Sequence, residues 1–132
     1  GCDGRDGIIG QLADKASLAE GVMLLTPYVA DSKEEKSAKF TAAYKEQYGE
    51  TPIQFAADAY DAIYTIKAAL EAANVTDPTI DHSALSDALT AVMTKITVEG
   101  VTGTMTWDES GEPTKTPKAM VIENGTYVSM DD

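Results

Sequence analysis

The stretch Gln54-Phe-Ala-Ala-Asp-Ala-Tyr-Asp-Ala-Ile63 opens the longest helix that the sequence predicts, which covers about residues 53–73. Apolar residues recur there at every third or fourth position, as expected for a helix with one face against a core. This predicted stripe contains Phe55, Ala56, Ala59, Tyr60, Ile63, Ile66 and Leu70. Gly49 and Pro52 end the preceding helix, because glycine favours a left-handed C-terminal residue and proline cannot continue a helix.

Further helices are predicted on both sides of this one. A short helix covers about residues 6–15, and a longer one begins at Ser32-Lys-Glu-Glu35, where the two end residues fit a capping box. Another long helix carries apolar residues at helical spacing over residues 85–96, with Asp81 or Ser83 near its start. The sequence thus predicts three main helices and one short one.

Strand patterns stand at both ends of the chain. The run Gly21-Val-Met-Leu-Leu-Thr26 is continuously apolar, which predicts a strand buried on both faces, and residues 101–107 predict a short strand. Residues 119–123 and 126–128 predict a β-hairpin, because Asn124-Gly125 suits both left-handed positions of a type I′ turn. A hairpin alone is marginal in water. Either the chain is therefore a helical unit with a small sheet, or partner strands for the first strand are missing.

Length, composition and charge exclude several classes of function. A chain of 132 residues with 43% hydrophobic residues is long enough for one domain with a core. The net charge of −12 argues against binding to nucleic acid or to an anionic membrane surface, since both need a basic patch. No apolar run approaches the roughly 20 residues that span a bilayer, and no signal-peptide pattern opens the sequence.

Cys2 is the only cysteine, which excludes an internal disulfide. We expect a buried or loop thiol there, because structured sequence follows the glycine-rich start without a tether. The alternative is that Gly1-Cys2 ends a lipoprotein signal and that Cys2 is lipidated.

Residues suited to catalysis or to metal binding are sparse. His82 is the single histidine and lies in a polar segment, where a solvent-exposed or capping role is favoured over general-base catalysis. Asp58 and Asp61 have the spacing of a carboxylate pair, but charge on a helix surface is the default interpretation. Asp3 and Asp6 stand among glycines, yet they lack the alternating ligands of a calcium loop. The sequence predicts no catalytic residue, no metal site and no cofactor.

Asp3 is the most interesting candidate for ligand binding. A carboxylate in a glycine-rich loop before a helix lies at the usual ligand edge of an α/β sheet, where it can accept hydrogen bonds from an ammonium group. The alternative is that Asp3 only caps the helix that follows.

Several blocks, in this order and at this spacing, resemble the C-terminal portion of the solute-binding proteins of branched-chain amino-acid (Leu/Ile/Val) ABC importers, which have the type I periplasmic-binding-protein fold. The resemblance covers nearly the whole chain. The blocks are Gly1-Cys-Asp-Gly4, Ala19-Glu-Gly-Val-Met23, Phe40 with Ala43-Tyr44, Tyr48-Gly-Glu-Thr-Pro52, Phe55 with Ala59-Tyr-Asp-Ala62, Val101-Thr-Gly103 running to Trp107-Asp-Glu-Ser-Gly111, and Val121–Val128.

The resemblance implies an α/β fragment of a two-lobed fold. Residues 1–30 and 101–132 would belong to the C-terminal lobe and hinge, and residues 31–100 would supply helices of the N-terminal lobe. Asp3 matches the acidic residue that takes the ligand's α-ammonium group, and Phe55 matches an aromatic residue that reaches the cleft. The ligand-carboxylate groups of the family lie upstream of the matching region.

The function implied is the extracytoplasmic binding component of an ABC importer, periplasmic or extracellular and either free or lipid-anchored. It would bind a branched-chain or similar small amino acid and dock on a membrane permease. The alternatives are a sensor domain of a receptor with the same fold, or a hydrolase that uses Asp58, Asp61 or His82. Because exposed sheet edges invite pairing, we also expect a swapped or intertwined homo-oligomer.

Overall fold

The computed structural model describes residue 1 and residues 3–130, and for Asp3 it describes only the backbone. Both interpretations of Cys2 therefore lie outside the described residues. A single turn of 3₁₀-helix covers Asp3–Arg5, and a longer 3₁₀ segment covers Ala13–Ala19. The regular elements in chain order are α1 (Ile8–Leu12), β1 (Met23–Thr26), α2 (Glu35–Tyr48), α3 (Gln54–Ala72), α4 (His82–Met93), β2 (Val98–Glu99), β3 (Thr104–Met105), β4 (Lys118–Glu123) and β5 (Thr126–Ser129).

The main sheet joins the two ends of the chain. Its order is β1-β4-β5 with antiparallel pairing throughout, and Met23 lies opposite Val121 between the first two strands. Strand β1 thus finds one partner strand within this chain, in a small sheet of three strands, whereas its other edge pairs with no strand among the described residues. Helices α2, α3 and α4 lie between β1 and β2 in sequence.

The predicted hairpin is confirmed. Strands β4 and β5 pair with Glu123 opposite Thr126, and Asn124 and Gly125 both have positive φ angles, 52° and 71°. These are the two left-handed positions of a type I′ turn, whose twist matches that of the flanking strands.

The prediction that the first strand is buried on both faces is wrong. Leu24 and Thr26 are buried at 2% exposure each, whereas Met23 and Leu25 are more than half exposed. The reason is that β1 is an edge strand of an antiparallel sheet, and such a sheet packs on the core with one face only. Leu24 packs there with Val29 and Met120.

The main helices lie where the sequence predicts them, but the start of α2 differs. Helix α2 ends at Gly49 with a φ of 75°, as predicted, yet it begins at Glu35 with Glu34 as its N-cap. The Ser32 hydroxyl accepts only the Glu34 N–H, at 3.3 Å, so the predicted capping box is wrong. For α4, the carboxylate of Asp81 is the cap, because it accepts the N–H groups of the second and third helical residues.

The predicted short helix over residues 6–15 is only partly present. Helix α1 has five residues, because Ala13 adopts a φ of 48° and the chain continues as 3₁₀-helix. Of the strand predicted over residues 101–107, only Thr104–Met105 forms a strand, and its partner β2 lies before that range. Strands β2 and β3 form a small antiparallel pair, and the bend between them contains Val101 and Thr102.

The predicted apolar stripe of α3 is largely solvent-exposed. Tyr60, Ile63 and Ile66 are 42%, 66% and 49% exposed, whereas the buried face carries Gln54, Ala57, Asp61 and Ala69. Small residues on the buried face permit the close approach of Val101, which packs on Ala57 and Tyr28. Within the described part of the chain, no helix is long and apolar enough to cross a membrane.

Candidate ligand-binding site

The N-terminal loop contacts the start of α3. The Asp6 carboxylate accepts the N–H of Gly7 at 2.9 Å and the N–H of Gln54 at 2.7 Å. A Cβ at Gly7 would lie 3.6 Å from Cδ1 of Ile53, which shows how closely the two segments approach. The loop that carries Asp3 and the helix that carries Phe55 therefore meet at one place.

The two residues predicted to bind ligand both belong to these segments. The backbone of Asp3 begins the 3₁₀ turn Asp3–Arg5, three residues before Asp6, and its side chain lies outside the described residues. Phe55 follows Gln54 and is 50% exposed, so part of its ring is available for a ligand. Their roles in binding remain predictions.

Gln54 anchors the start of α3 from within the core. It is 1% exposed, and its Oε1 accepts a hydrogen bond from the Thr26 hydroxyl at 2.7 Å. The first residue of α3 is thus bonded to the N-terminal loop through its backbone and to β1 through its side chain. Sequence reasoning missed this role, because the two partners lie 28 and 48 residues away from Gln54 in the chain.

Tyr127 of β5 fixes the other side of the same loop. Its hydroxyl oxygen accepts the N–H of Gly7 at 2.8 Å and the N–H of Ile9 at 3.4 Å. Burial raises the pKa of Tyr127 above its usual value of 10.0, so the phenol is neutral at physiological pH. The sequence assigns this tyrosine only to the hairpin, although residues from both ends of the chain build the site.

A buried polar contact lies beneath the site, between the end of β1 and α2. The hydroxyls of Tyr28 and Thr41 are 2.5 Å apart, and Tyr28 is 2% exposed. Since Thr41 donates to the carbonyl of Ser37 at 2.9 Å, its hydroxyl is free to accept from Tyr28. The ring of Tyr28 also packs edge-on against Phe40 with centroids 5.8 Å apart. These contacts hold the connection between β1 and α2 rigidly against the helices.

A polar groove of about 770 Å³ lies where the chain passes between the sheet and the helices. Its walls are residues 29, 31–34, 102–104, 116–118 and 129. Lys118 and Glu34 form an ion pair across it at 2.9 Å, and Asp31 accepts the N–H of Ser129 at 3.1 Å. These contacts join the connection before α2 to strands β4 and β5.

The three residues of the hydrolase alternative have separate environments. Asp61 is 2% exposed and accepts three hydrogen bonds from Val101 and Thr102, so the surface-charge interpretation is wrong for this residue. Asp58 pairs with Lys115 at 3.1 Å, and His82 is exposed at the start of α4, as predicted. Each of the two carboxylates is occupied by a structural partner. Among the described residues, no three His, Cys, Asp or Glu side chains are grouped so that they could hold a metal.

The comparison with protein families finds one match. Residues 5–125 match the model of a family described as periplasmic binding protein. A search of curated protein sequences finds no significant match.

Solved structures of solute-binding proteins share the fold of this chain. A solute-binding protein of an ABC transporter from R. palustris, in complex with benzoate, has a TM-score of 0.75 at 18% identity, over 95% of this chain and 32% of its own. A leucine-binding protein from Thermotoga maritima has a TM-score of 0.74 at 24% identity, over 97% and 35%. A branched-chain amino-acid substrate-binding protein from Streptococcus pneumoniae, in complex with isoleucine, has a TM-score of 0.74 at 25% identity, over 98% and 36%.

The chain spans about a third of the length of these solved structures. The likeness confirms the prediction of an α/β fragment of a two-lobed fold. At these identities it shows the fold and leaves ligand choice to experiment.

Proposed function

We propose, on the premise that this chain belongs to the periplasmic binding protein family, that it forms part of the extracytoplasmic solute-binding component of an ABC importer. The match to the family model over residues 5–125 is the observation that carries this proposal. Its structural neighbours named as ABC-transporter solute-binding proteins support it.

The ligand that we propose is a branched-chain or similar small amino acid. Two neighbours are a leucine-binding protein and a protein in complex with isoleucine, which favours this class. The predicted role of Asp3 also favours it, because a carboxylate in the loop accepts charge-assisted hydrogen bonds from an α-ammonium group. Phe55, half exposed at the start of α3, would offer apolar contact to the ligand.

The mechanism is capture between two lobes. Residues 1–30 and 101–132 belong to one lobe and the hinge, and residues 31–100 supply helices of the other. The sheet built from both ends of the chain and the helices between them support this division. A ligand that contacts both lobes stabilises the closed form, which the membrane permease then recognises.

Titration calorimetry tests the proposal, with the 132-residue chain and with the full-length product of its gene. The panel contains leucine, isoleucine, valine and, because one neighbour holds it, benzoate. We expect saturable binding of at least one of the three amino acids and a large but measurable loss of affinity for it in Asp3→Asn. Binding of benzoate alone, with no effect of Asp3→Asn, would replace the amino-acid proposal with an aromatic acid. No binding to any of the four would contradict it.

A further inference from the structure

We propose that Asp6 is a positioning residue of the ligand site, which holds the loop carrying Asp3 against the start of α3. This inference rests on the proposed function, since it assigns Asp6 a role in that same site. Asp6 does not itself contact the ligand in this proposal. It acts by fixing the distance between the loop and the helix.

The geometry of the Asp6 carboxylate is that of a bridge. One oxygen accepts the N–H of Gly7 at 2.9 Å, within the loop itself. The other accepts the N–H of Gln54 at 2.7 Å, across 48 residues of sequence. Both oxygens thus accept a hydrogen bond, and the long-range one comes from the first residue of the helix that carries Phe55.

The bond to Gln54 replaces a helix cap that α3 lacks locally. The first N–H groups of a helix have no partner within the helix, and a side chain at the N-cap position usually accepts one of them. The N-cap of α3 is Ile53, which has no polar side chain. Asp6 supplies the acceptor from a distant segment, and a negative charge at a helix N-terminus is favourable. The loop and the start of α3 therefore depend on each other for their conformation.

Three hydrogen bonds connect the Asp6 loop, the start of α3 and the sheet. Gln54 is tied to β1 through Thr26 at 2.7 Å, and the loop is tied to β5 through the Tyr127 hydroxyl at 2.8 Å from the Gly7 nitrogen. The Asp6–Gln54 bond is the one that joins the loop to α3. Its loss would leave the loop bonded to the sheet but free to move relative to Phe55.

The consequence for binding follows from the position of Asp3, three residues before Asp6. A carboxylate that receives an ammonium group binds well only if its loop is ordered beforehand, because ordering it on binding costs free energy. In the lobe division proposed above, the Asp6–Gln54 bond also joins the two lobes. We therefore expect Asp6 to favour the arrangement in which Asp3 and Phe55 face the same ligand.

The test measures the affinity of the full-length gene product for the amino acid that binds most tightly in the titration above. Asp6→Ala is expected to weaken binding about tenfold or more, since it removes a charge-assisted hydrogen bond. Asp6→Asn retains one acceptor oxygen and should give an intermediate loss. Asp77→Ala is the matched control, because Asp77 also accepts a backbone N–H, from Thr79 at 2.8 Å, in the turn between α3 and α4. Its affinity should remain within about twofold of the wild type.

A double-mutant cycle separates positioning from general stability. If Asp6 acts through the Asp3 loop, the losses from Asp3→Asn and Asp6→Ala are not additive, and the double variant binds about as weakly as Asp3→Asn alone. Additive losses would overturn the proposal, and so would unchanged affinity in Asp6→Ala while the wild type binds. If the wild type bound none of the amino acids, the proposed function would fail and this inference with it.

Amide exchange tests the structural part without ligand. The Gln54 N–H is expected to exchange faster in Asp6→Ala than in the wild type, while the Ser83 N–H, capped by Asp81, is unchanged. Equal exchange rates of the Gln54 N–H in both proteins would contradict the hydrogen bond between Asp6 and Gln54.

Discussion

Asp61 on α3 accepts two hydrogen bonds from Thr102, from its backbone N–H at 2.9 Å and from its hydroxyl at 2.6 Å. The other carboxylate oxygen accepts the N–H of Val101 at 2.8 Å. Asp61 is 2% exposed, so these donors replace water around its charge. One side chain thus fastens the bend between β2 and β3 to the longest helix.

Replacing Asp61 by asparagine should destabilise the chain strongly. The amide keeps one acceptor oxygen but turns an NH₂ group toward a buried donor, which we expect to cost about 2–4 kcal/mol of unfolding free energy. Urea denaturation measures the change. Asp58→Asn is the matched control on the same helix, and its partly exposed pair with Lys115 should contribute at most about 1 kcal/mol. Equal losses in the two variants would contradict the role of Asp61.

Gly100 should tolerate no side chain, because the Asp61 carboxylate occupies the space. A Cβ at residue 100 would lie 2.3 Å from Oδ2 of Asp61, far inside van der Waals contact. We expect Gly100→Ala to cost about 1–3 kcal/mol by forcing the backbone or the carboxylate to shift. Gly10→Ala, in α1 with open space around it, should be neutral or stabilising by comparison. Thermal unfolding measures the stability of both variants, and an unchanged melting temperature in Gly100→Ala would contradict the prediction.

Features determined by neighbouring residues could be predicted from the sequence. The hairpin depends on Asn124-Gly125, and the end of α2 depends on Gly49, each of which favours positive φ by itself. The start of α4 was predictable to within two candidates, because Asp81 caps N–H groups only two and three residues ahead. Local chemistry was sufficient in each case.

Features determined by distant partners could not be predicted. Asp61 resembles helix-surface charge in the sequence, since its donors lie about 40 residues away. The apolar stripe of α3 has helical periodicity, yet the buried face is the one with small residues and with Gln54, which a hydrophobicity pattern does not select. In the candidate site, Asp3 and Phe55 came from the resemblance, whereas Asp6, Gln54 and Tyr127 emerged only from the hydrogen bonds of the structure.

Stability should depend on pH through Asp6 in a direction set by its burial. Burial raises the pKa of Asp6 above its ordinary value of 3.8, although the N–H groups of Gln54 and Gly7 lower it in part. The folded state then holds the proton more tightly than the unfolded state, so the contribution to stability is complete below pH 3.8 and is lost as pH rises through the folded pKa. Asparagine at residue 6 carries no such dependence.

The measurement compares the wild type with Asp6→Asn in denaturant at about pH 4 and about pH 7. The stability of the wild type relative to the variant should fall with rising pH. Relative to Asp77→Asn, the stability of the wild type should instead rise with pH, because the hydroxyl and N–H of Thr79 lower the pKa of Asp77. Near Asp6, Tyr28 and Tyr127 stay neutral over this range, since burial raises the pKa of both. A relative stability that rises with pH for Asp6 would contradict the assignment.

Phe55 should affect ligand binding more than stability. Its ring is 50% exposed, so Phe55→Ala removes little core packing, whereas loss of an aromatic contact to a ligand would weaken affinity by about tenfold. Calorimetry with leucine and thermal unfolding measure the two effects. Tyr48→Ala is the control, because Tyr48 is also an exposed aromatic residue, 65% exposed at the end of α2, where its ring contacts Tyr44. A variant that loses stability and keeps its affinity would remove Phe55 from the site.

The exposed apolar face of α3 should promote self-association of the 132-residue chain. Ile63 and Ile66 are 66% and 49% exposed near Tyr60 and Tyr64, and apolar patches of this kind are commonly covered by another surface. We expect light scattering to give a mass above the 14.0 kDa of one chain, which association through this face, like the oligomer expected from the sheet edges, would produce. Ile63→Glu should shift the population toward monomer, because it places a charge in the patch. Ala72→Glu adds the same charge at the end of the helix and should leave the mass unchanged. A strictly monomeric wild type that unfolds cooperatively would contradict this expectation.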